Sequence, residues 1–161
     1  MAQDRDFSEE ELLELAAEIA KPSLAELDSA QGTLTHGERC YRSAGALGAR
    51  GEAASGFPNA AKAKDALIRY GQQGFSENDA GALALLTLIA QMQDTNMVAR
   101  VGEETALVLQ KRAKALAALP LHEALMSLPE FDEEFILHNA SPGGCADMLA
   151  AGRLLKSIFE E

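Results

Sequence analysis

The chain has 161 residues, with 25 Asp and Glu against 14 Lys and Arg, a formal net charge of −11. Apolar residues make up 47%, aromatics only 5%, and Trp is absent, so the core must be built from Ala and Leu. This balance excludes a general basic nucleic-acid-binding surface and disfavours a β-sandwich or barrel, which draws on Val, Ile, Thr and Tyr. The longest apolar run, Ala80 to Ala90, falls short of the roughly 20 residues a membrane-spanning helix needs, so no membrane partner is expected. The N-terminus is acidic and lacks the basic and apolar regions of a secretory signal. Cys40 and Cys145 form no C-x-x-C pair, which fits a reducing cytoplasm.

The periodicity predicts helices from end to end. Ser8 followed by Glu11 is a capping box, and Leu12, Leu13, Leu15, Ala16 and Ile19 supply the apolar stripe of a first helix. Pro22 suits the first turn of a second helix through Leu27, closed by Gln31-Gly32. A helical pattern resumes from Gly37 to Leu47 and dissolves into the glycine-punctuated stretch from Gly45 to Pro58, read as a loop held close to something or a broken helix. Residues 59–71 form the next helix. Ser76 then caps a long helix from Glu77, apolar on nearly all faces between Ala80 and Met92, which belongs in the centre of the fold. Helices near 102–118, 121–128, 130–139 and 144–159 follow, with joints at Pro120, Pro129 and Pro142. The expected fold is all-α, a single compact helical domain of about eight or nine helices around a buried central helix.

Charge is unevenly placed. Residues 1–31 hold nine acids and two bases, whereas residues 36–69 hold six bases and three acids. A basic island in an acidic chain attracts a small polyanion, or pairs with its own neighbours.

Four clusters put polar residues where helix design alone would not. In Thr35-His36-Gly37-Glu38, Thr35 reads as an N-cap with Glu38 as its capping-box partner; Glu38 is also a candidate to hold Mg²⁺ or a substrate hydroxyl. In the stretch from Gly48 to Pro58, glycines flank Arg50, whose guanidinium suits phosphate, and Glu52 lies close by in sequence. Asp94-Thr95-Asn96 with Arg100 sits at the end of the central helix, where buried polar groups need partners and oxygen ligands suit Mg²⁺. In Ser141-Pro142-Gly143-Gly144-Cys145-Ala146-Asp147, Ser141 reads as an N-cap and Pro142 as the first helical residue. The two glycines bare an anion seat at a helix N-terminus, with Asp147 placed to hold an accompanying cation.

In this order and spacing the clusters resemble triphosphoribosyl-dephospho-CoA synthases: THGE at 35–38, GARGEAASGFP at 48–58, DTN with Arg100, and SPGGCADMLA at 141–150. The resemblance runs from about Thr35 to Ile158 and is similar to the C-terminal half of that family. It implies a domain over 35–161 preceded by an acidic helical segment at 1–34. It also implies an all-helical enzyme that moves the triphosphoribosyl group of ATP to 3′-dephospho-CoA and releases adenine. The product is the prosthetic-group precursor for the acyl-carrier protein of citrate lyase or malonate decarboxylase. By resemblance, Arg50, Arg100, Ser141, Gly143 and Gly144 hold ATP phosphates. Glu38 and Glu52 are then candidate catalytic carboxylates, Glu38 toward a substrate hydroxyl or a metal, and Asp94 and Asp147, with Glu52 as a further choice, are candidates for Mg²⁺. Where the family usually reads Arg-Gly-Gly this chain has Arg100-Val101-Gly102, and Cys145 replaces a serine. The family's other conserved half is not matched, so the chain is expected to be one part of a split enzyme, inactive alone. It is then expected to bind a separate N-terminal half or to self-associate. The alternative is a non-catalytic helical module that keeps a nucleotide or CoA surface.

Overall fold

The computed structural model describes residues 7–29 and 32–160. Among them the regular structure is nine helices: α1 (Glu9–Ala20), α2 (Pro22–Ser29), α3 (His36–Ala44), α4 (Gly48–Ala54), α5 (Pro58–Gln72), α6 (Glu77–Gln91), α7 (Thr95–Ala117), α8 (Leu121–Leu137) and α9 (Gly143–Phe159). The all-α expectation holds. The Ser8 hydroxyl accepts the Glu11 N–H at 3.2 Å and the Glu11 carboxylate accepts the Ser8 N–H at 3.0 Å, closing the expected capping box. Of the expected stop after α2, Gln31 lies outside the described residues.

The central helix is α6. It packs against α5, α7, α8 and α9, and buries Ala80, Gly81, Leu83, Ala84, Leu86, Leu88, Ile89 and Ala90. Small residues let the neighbours close in. At Gly152 of α9, a Cβ would stand 2.7 Å from the Ala63 Cβ and 2.8 Å from the Ala60 carbonyl oxygen, so α5 and α9 cross nearly backbone to backbone.

Two joints differ from expectation. α8 runs unbroken through Pro129, because Ala124, Phe131 and Phe135 on either side of it are buried in the core. That burial outweighs the roughly 3 kcal/mol an interior proline costs. Conversely, α7 is broken at Gly102, whose φ of 80° and ψ of 164° are non-helical: its second part is the helix expected from near 102, and its first part, from Thr95, is a helical turn the sequence pattern does not announce. The glycine-rich stretch is the broken-helix alternative: α3 ends at left-handed Gly45, and the short α4 fills 48–54.

The acidic N-terminal segment covers the basic island. α1 packs on α4, and α2 contacts both α1 and α4. Lys64 of α5, buried, bonds Glu9 of α1, and Arg50 of α4 pairs with Glu26 of α2 at 3.4 Å. Of the two readings of the basic island, these residues follow the second, pairing with neighbours.

Candidate functional site

A cavity of about 530 Å³ opens where three helices begin. Asn59 of α5, Thr95 and Asn96 of α7, and Gly143 and Gly144 of α9 all line it, with Gly48, Ala49 and Glu52 of α4 forming another wall. Each helix N-terminus carries partial positive charge, about half an elementary charge. The chain is acidic, yet this cavity gathers three such ends. It also gathers three of the four sequence clusters, from elements far apart in the chain.

Asp94 holds the arrangement together. Only 2% exposed, its Oδ1 accepts the N–H groups of Asn96 at 2.9 Å and Met97 at 3.0 Å, capping α7. Its Oδ2 accepts the Cys145 N–H at 2.9 Å, capping α9. The Asn96 side chain donates to the Ser141 carbonyl at 3.2 Å. These contacts explain the paired glycines. A Cβ on Gly143 would stand 2.5 Å from the Asn96 side-chain nitrogen, and one on Gly144 3.2 Å from Asp94 Oδ2.

Glu52 is similarly fixed. It accepts the Asn59 N–H at 2.6 Å and the Asn59 side-chain N–H at 2.8 Å, facing the start of α5. Asp147, one turn into α9, differs. It lines the cavity, is exposed, and has no hydrogen-bond or ion-pair partner among the described residues. The Gly143 and Gly144 amides likewise have no protein acceptor among those residues, since the first N–H groups of a helix find none within it. Two open donors and one open carboxylate therefore face the same space.

Several expected site residues lie elsewhere. Glu38 does not line the cavity: its carboxylate accepts the Thr35 N–H at 2.7 Å and the Thr35 hydroxyl at 2.8 Å, the capping-box reading. Those Thr35 bonds hold its pKa below the usual carboxylate value, with Arg50 and Arg42 adding to the effect. Arg50 points away, to the Ser23 carbonyl at 3.3 Å, to Glu26, and to Glu38 at 3.8 Å. Arg100 is exposed on α7 and lines none of the cavities described. Ser141 is not the N-cap of α9. Pro142 holds that place, and Asp94 supplies the capping oxygen from another helix. Asp94, expected as a metal ligand, accepts three backbone N–H bonds instead.

Cys145 is fully buried beneath this carboxylate. Burial first, and then the Asp94 charge and hydrogen bond, push its thiol pKa well above the ordinary value, so it stays protonated. The sequence reading passed over Asn59 as a site residue; its signal is a polar residue at the start of a helix, seven residues after Glu52. Among the described residues no group of three or more His, Cys, Asp or Glu forms a ready metal cage.

A family model described as ATP:dephospho-CoA triphosphoribosyl transferase matches residues 5–161. The chain belongs to this family. The match takes in nearly all of the acidic N-terminal segment, beyond the Thr35 start of the sequence resemblance. The 2-(5''-triphosphoribosyl)-3'-dephosphocoenzyme-A synthase of Pectobacterium atrosepticum is 41% identical over 131 residues, covering 81% of this chain and 43% of the relative. Relatives in Pseudomonas paraeruginosa and Pseudomonas fluorescens, both named "Probable" synthases of the same kind, are each 36% identical, covering 86% and 89% of this chain. The chain spans about half the length of these family members, 48% and 51% of the last two. No solved structure matches.

Proposed function

We propose that the cavity at the starts of α5, α7 and α9 holds the triphosphate of ATP. The chain would then be the phosphate-holding part of a cytoplasmic transferase that moves the triphosphoribosyl group to 3′-dephospho-CoA. The observation that carries this is the pairing of unengaged Gly143 and Gly144 amides with an unengaged Asp147 carboxylate. Backbone N–H groups at a helix start bind phosphate oxygens. Mg²⁺ is bound by one or two carboxylates together with substrate phosphates, not by a dedicated cage. Asp147 fits that donor set, and the absence of a larger carboxylate cluster among the described residues suits a cation arriving with its nucleotide. Bound there, Mg²⁺ would neutralise phosphate charge.

Transfer breaks the bond from ribose C1 to adenine and forms one from C1 to the acceptor hydroxyl oxygen, whose proton ends on the departing adenine. Positive charge builds on the ribose as adenine leaves, and a nearby carboxylate stabilises it. Glu52 is the carboxylate at this cavity assigned that role, held by Asn59 so that it need not reorganise as charge develops. Asp94 touches no substrate in this reading. It positions the two helix starts that do.

The test combines this chain with the portion of the Pectobacterium atrosepticum synthase that it does not match, supplied with ATP, Mg²⁺ and dephospho-CoA. Adenine release is expected from the mixture and not from the chain alone. Glu52→Gln should lower that release about a hundredfold while ATP affinity holds. ATP binding with no release from the complete mixture would instead favour a non-catalytic nucleotide-binding module.

A further inference from the structure

On the other side of the segment leading into α9 lies a second, larger cavity of about 610 Å³, an open groove between α6 and α8. Its α6 wall carries Ala82, Leu85 and Ile89; its α8 wall carries Leu125, Leu128 and Ile136. Both sets recur at helical spacing, so each wall presents an apolar stripe. From Leu125 to Ile136 the α8 stripe is about 16 Å long at ~1.5 Å per residue, three turns of helix. Apolar surface continues past the rim: Ile136 is 71% exposed, Leu137 81% and Met126 80%. Pro129, in the groove wall, has no N–H to give the Leu125 carbonyl, so that acceptor is left by its own helix beside the groove. Polar character at the rim comes from Asn78, Asp79 and Asp132. Among the described residues no Lys, Arg or His lines the groove.

We infer that this groove is the seat of an amphipathic helix from the half of the family protein that the chain does not span. The inference rests on the functional reading above, in which that half completes the site. Three observations select this occupant. The chain covers 43% of the Pectobacterium relative, so over half of that protein remains to be placed against it. The groove is a three-turn apolar trough, which fits helix anchors at i, i+3 or i+4, and i+7. The acidic residues Asp79 and Asp132 at its rim attract a helix flanked by Lys or Arg. The groove meets that site at the Ser141–Gly144 segment, Ser141 and Pro142 lining one and Gly143 and Gly144 the other. A helix seated here lies directly against the polypeptide that carries the phosphate-binding amides.

The test is co-expression of this chain with the unmatched portion of the Pectobacterium synthase, followed by co-purification, sedimentation and hydrogen exchange. A one-to-one complex is expected, with slowed exchange over residues 125–136. Ile136→Asp, at an exposed position, should leave the helical circular dichroism of the lone chain unchanged and weaken the complex at least about tenfold. Asp132→Lys should weaken it less, and more at low salt than at high salt. Either variant should bind MgATP as the wild type does, so loss of nucleotide binding reports on the functional reading and loss of the complex on this one. A homodimer that Ile136→Asp dissociates, dephospho-CoA slowing exchange over 125–136, no complex, or a complex indifferent to Ile136→Asp would each overturn the inference.

Discussion

Asp94 Oδ2 accepts the Cys145 N–H at 2.9 Å across 51 residues of sequence, while Asp94 Oδ1 caps the helix that Asp94 itself precedes. One buried carboxylate thereby fixes the starts of α7 and α9 relative to each other. Asp94→Asn leaves one acceptor oxygen and should destabilise the fold by about 1–3 kcal/mol, since a buried donor loses its partner. Asp94→Ala should cost more. Urea unfolding of the two variants checks the order.

The glycines beneath that carboxylate are a second test. Gly143→Ala places a methyl 2.5 Å from the Asn96 side-chain nitrogen, which must then abandon the Ser141 carbonyl or push α9 away. Nucleotide binding should fall about tenfold or more with only a modest drop in melting temperature. Asn96→Ala in the same chain removes the clash and should return part of the affinity. Absence of any such return would mean that the alanine harms binding for another reason.

The buried thiol should be inert. Burial and the Asp94 charge raise its pKa, so little thiolate forms at neutral pH and the fold shields the sulfur. Native protein at pH 8 should leave Cys145 unlabelled by iodoacetamide, with labelling after unfolding in urea. Cys145→Ser keeps a donor beneath Asp94, and adenine release by the completed enzyme should be nearly unchanged. Rapid native labelling, or a large loss in that variant, would give the thiol a role that its position does not.

Two hydrogen-bonded groups, one partly exposed and one buried, add pH dependence to the stability of the fold. The Thr35 bonds lower the Glu38 pKa below its ordinary 4.5. A depressed carboxylate contributes stability above its unfolded pKa, and this contribution fades as pH falls from about 4.5 through the lower folded value. Lys64 is the opposite case: bonding to Glu9 first, and then the charges of Glu9 and neighbouring acids, raise its pKa above 10.5. Its contribution is full below 10.5 and is lost as pH rises through the folded value. Unfolding against pH should show both edges, Glu38→Gln flattening only the acid one and Lys64→Met only the alkaline one.

The helices were legible because their signals are local. Ser8-Glu11, Thr35-Glu38 and Ser76 announce helix starts within four residues, and the apolar run of α6 can be satisfied only at the centre. The site clusters were legible as clusters, because glycines and buried acids at helix ends break ordinary design. Their internal roles were not. Nothing near Gly143 in the sequence tells that the oxygen capping α9 at the Cys145 N–H comes from Asp94, or that Arg50 turns toward Glu26. Such partners are chosen by packing between distant helices, so Asp94 takes the capping place expected of Ser141 and Arg50 turns to Glu26, whereas Gly143, Gly144, Glu52 and Asp147 line one cavity. Pro129 misled for the same reason: the tertiary burial of Phe131 and Phe135 overrides a local break.

The central claim is that the starts of α5, α7 and α9 form a seat for a nucleotide triphosphate with its cation. Calorimetric titration of ATP into the chain, with and without Mg²⁺, in wild type and in Asp147→Asn, tests it most directly. Asp147 is exposed and without partners among the described residues, so its replacement should leave the melting temperature unchanged. The account predicts saturable one-to-one binding that Mg²⁺ strengthens, with most of that strengthening, about tenfold in affinity, lost in Asp147→Asn. Arg50→Ala, by contrast, should bind as the wild type. No binding by the folded chain, or a Mg²⁺ effect of equal size in Asp147→Asn, would contradict the account.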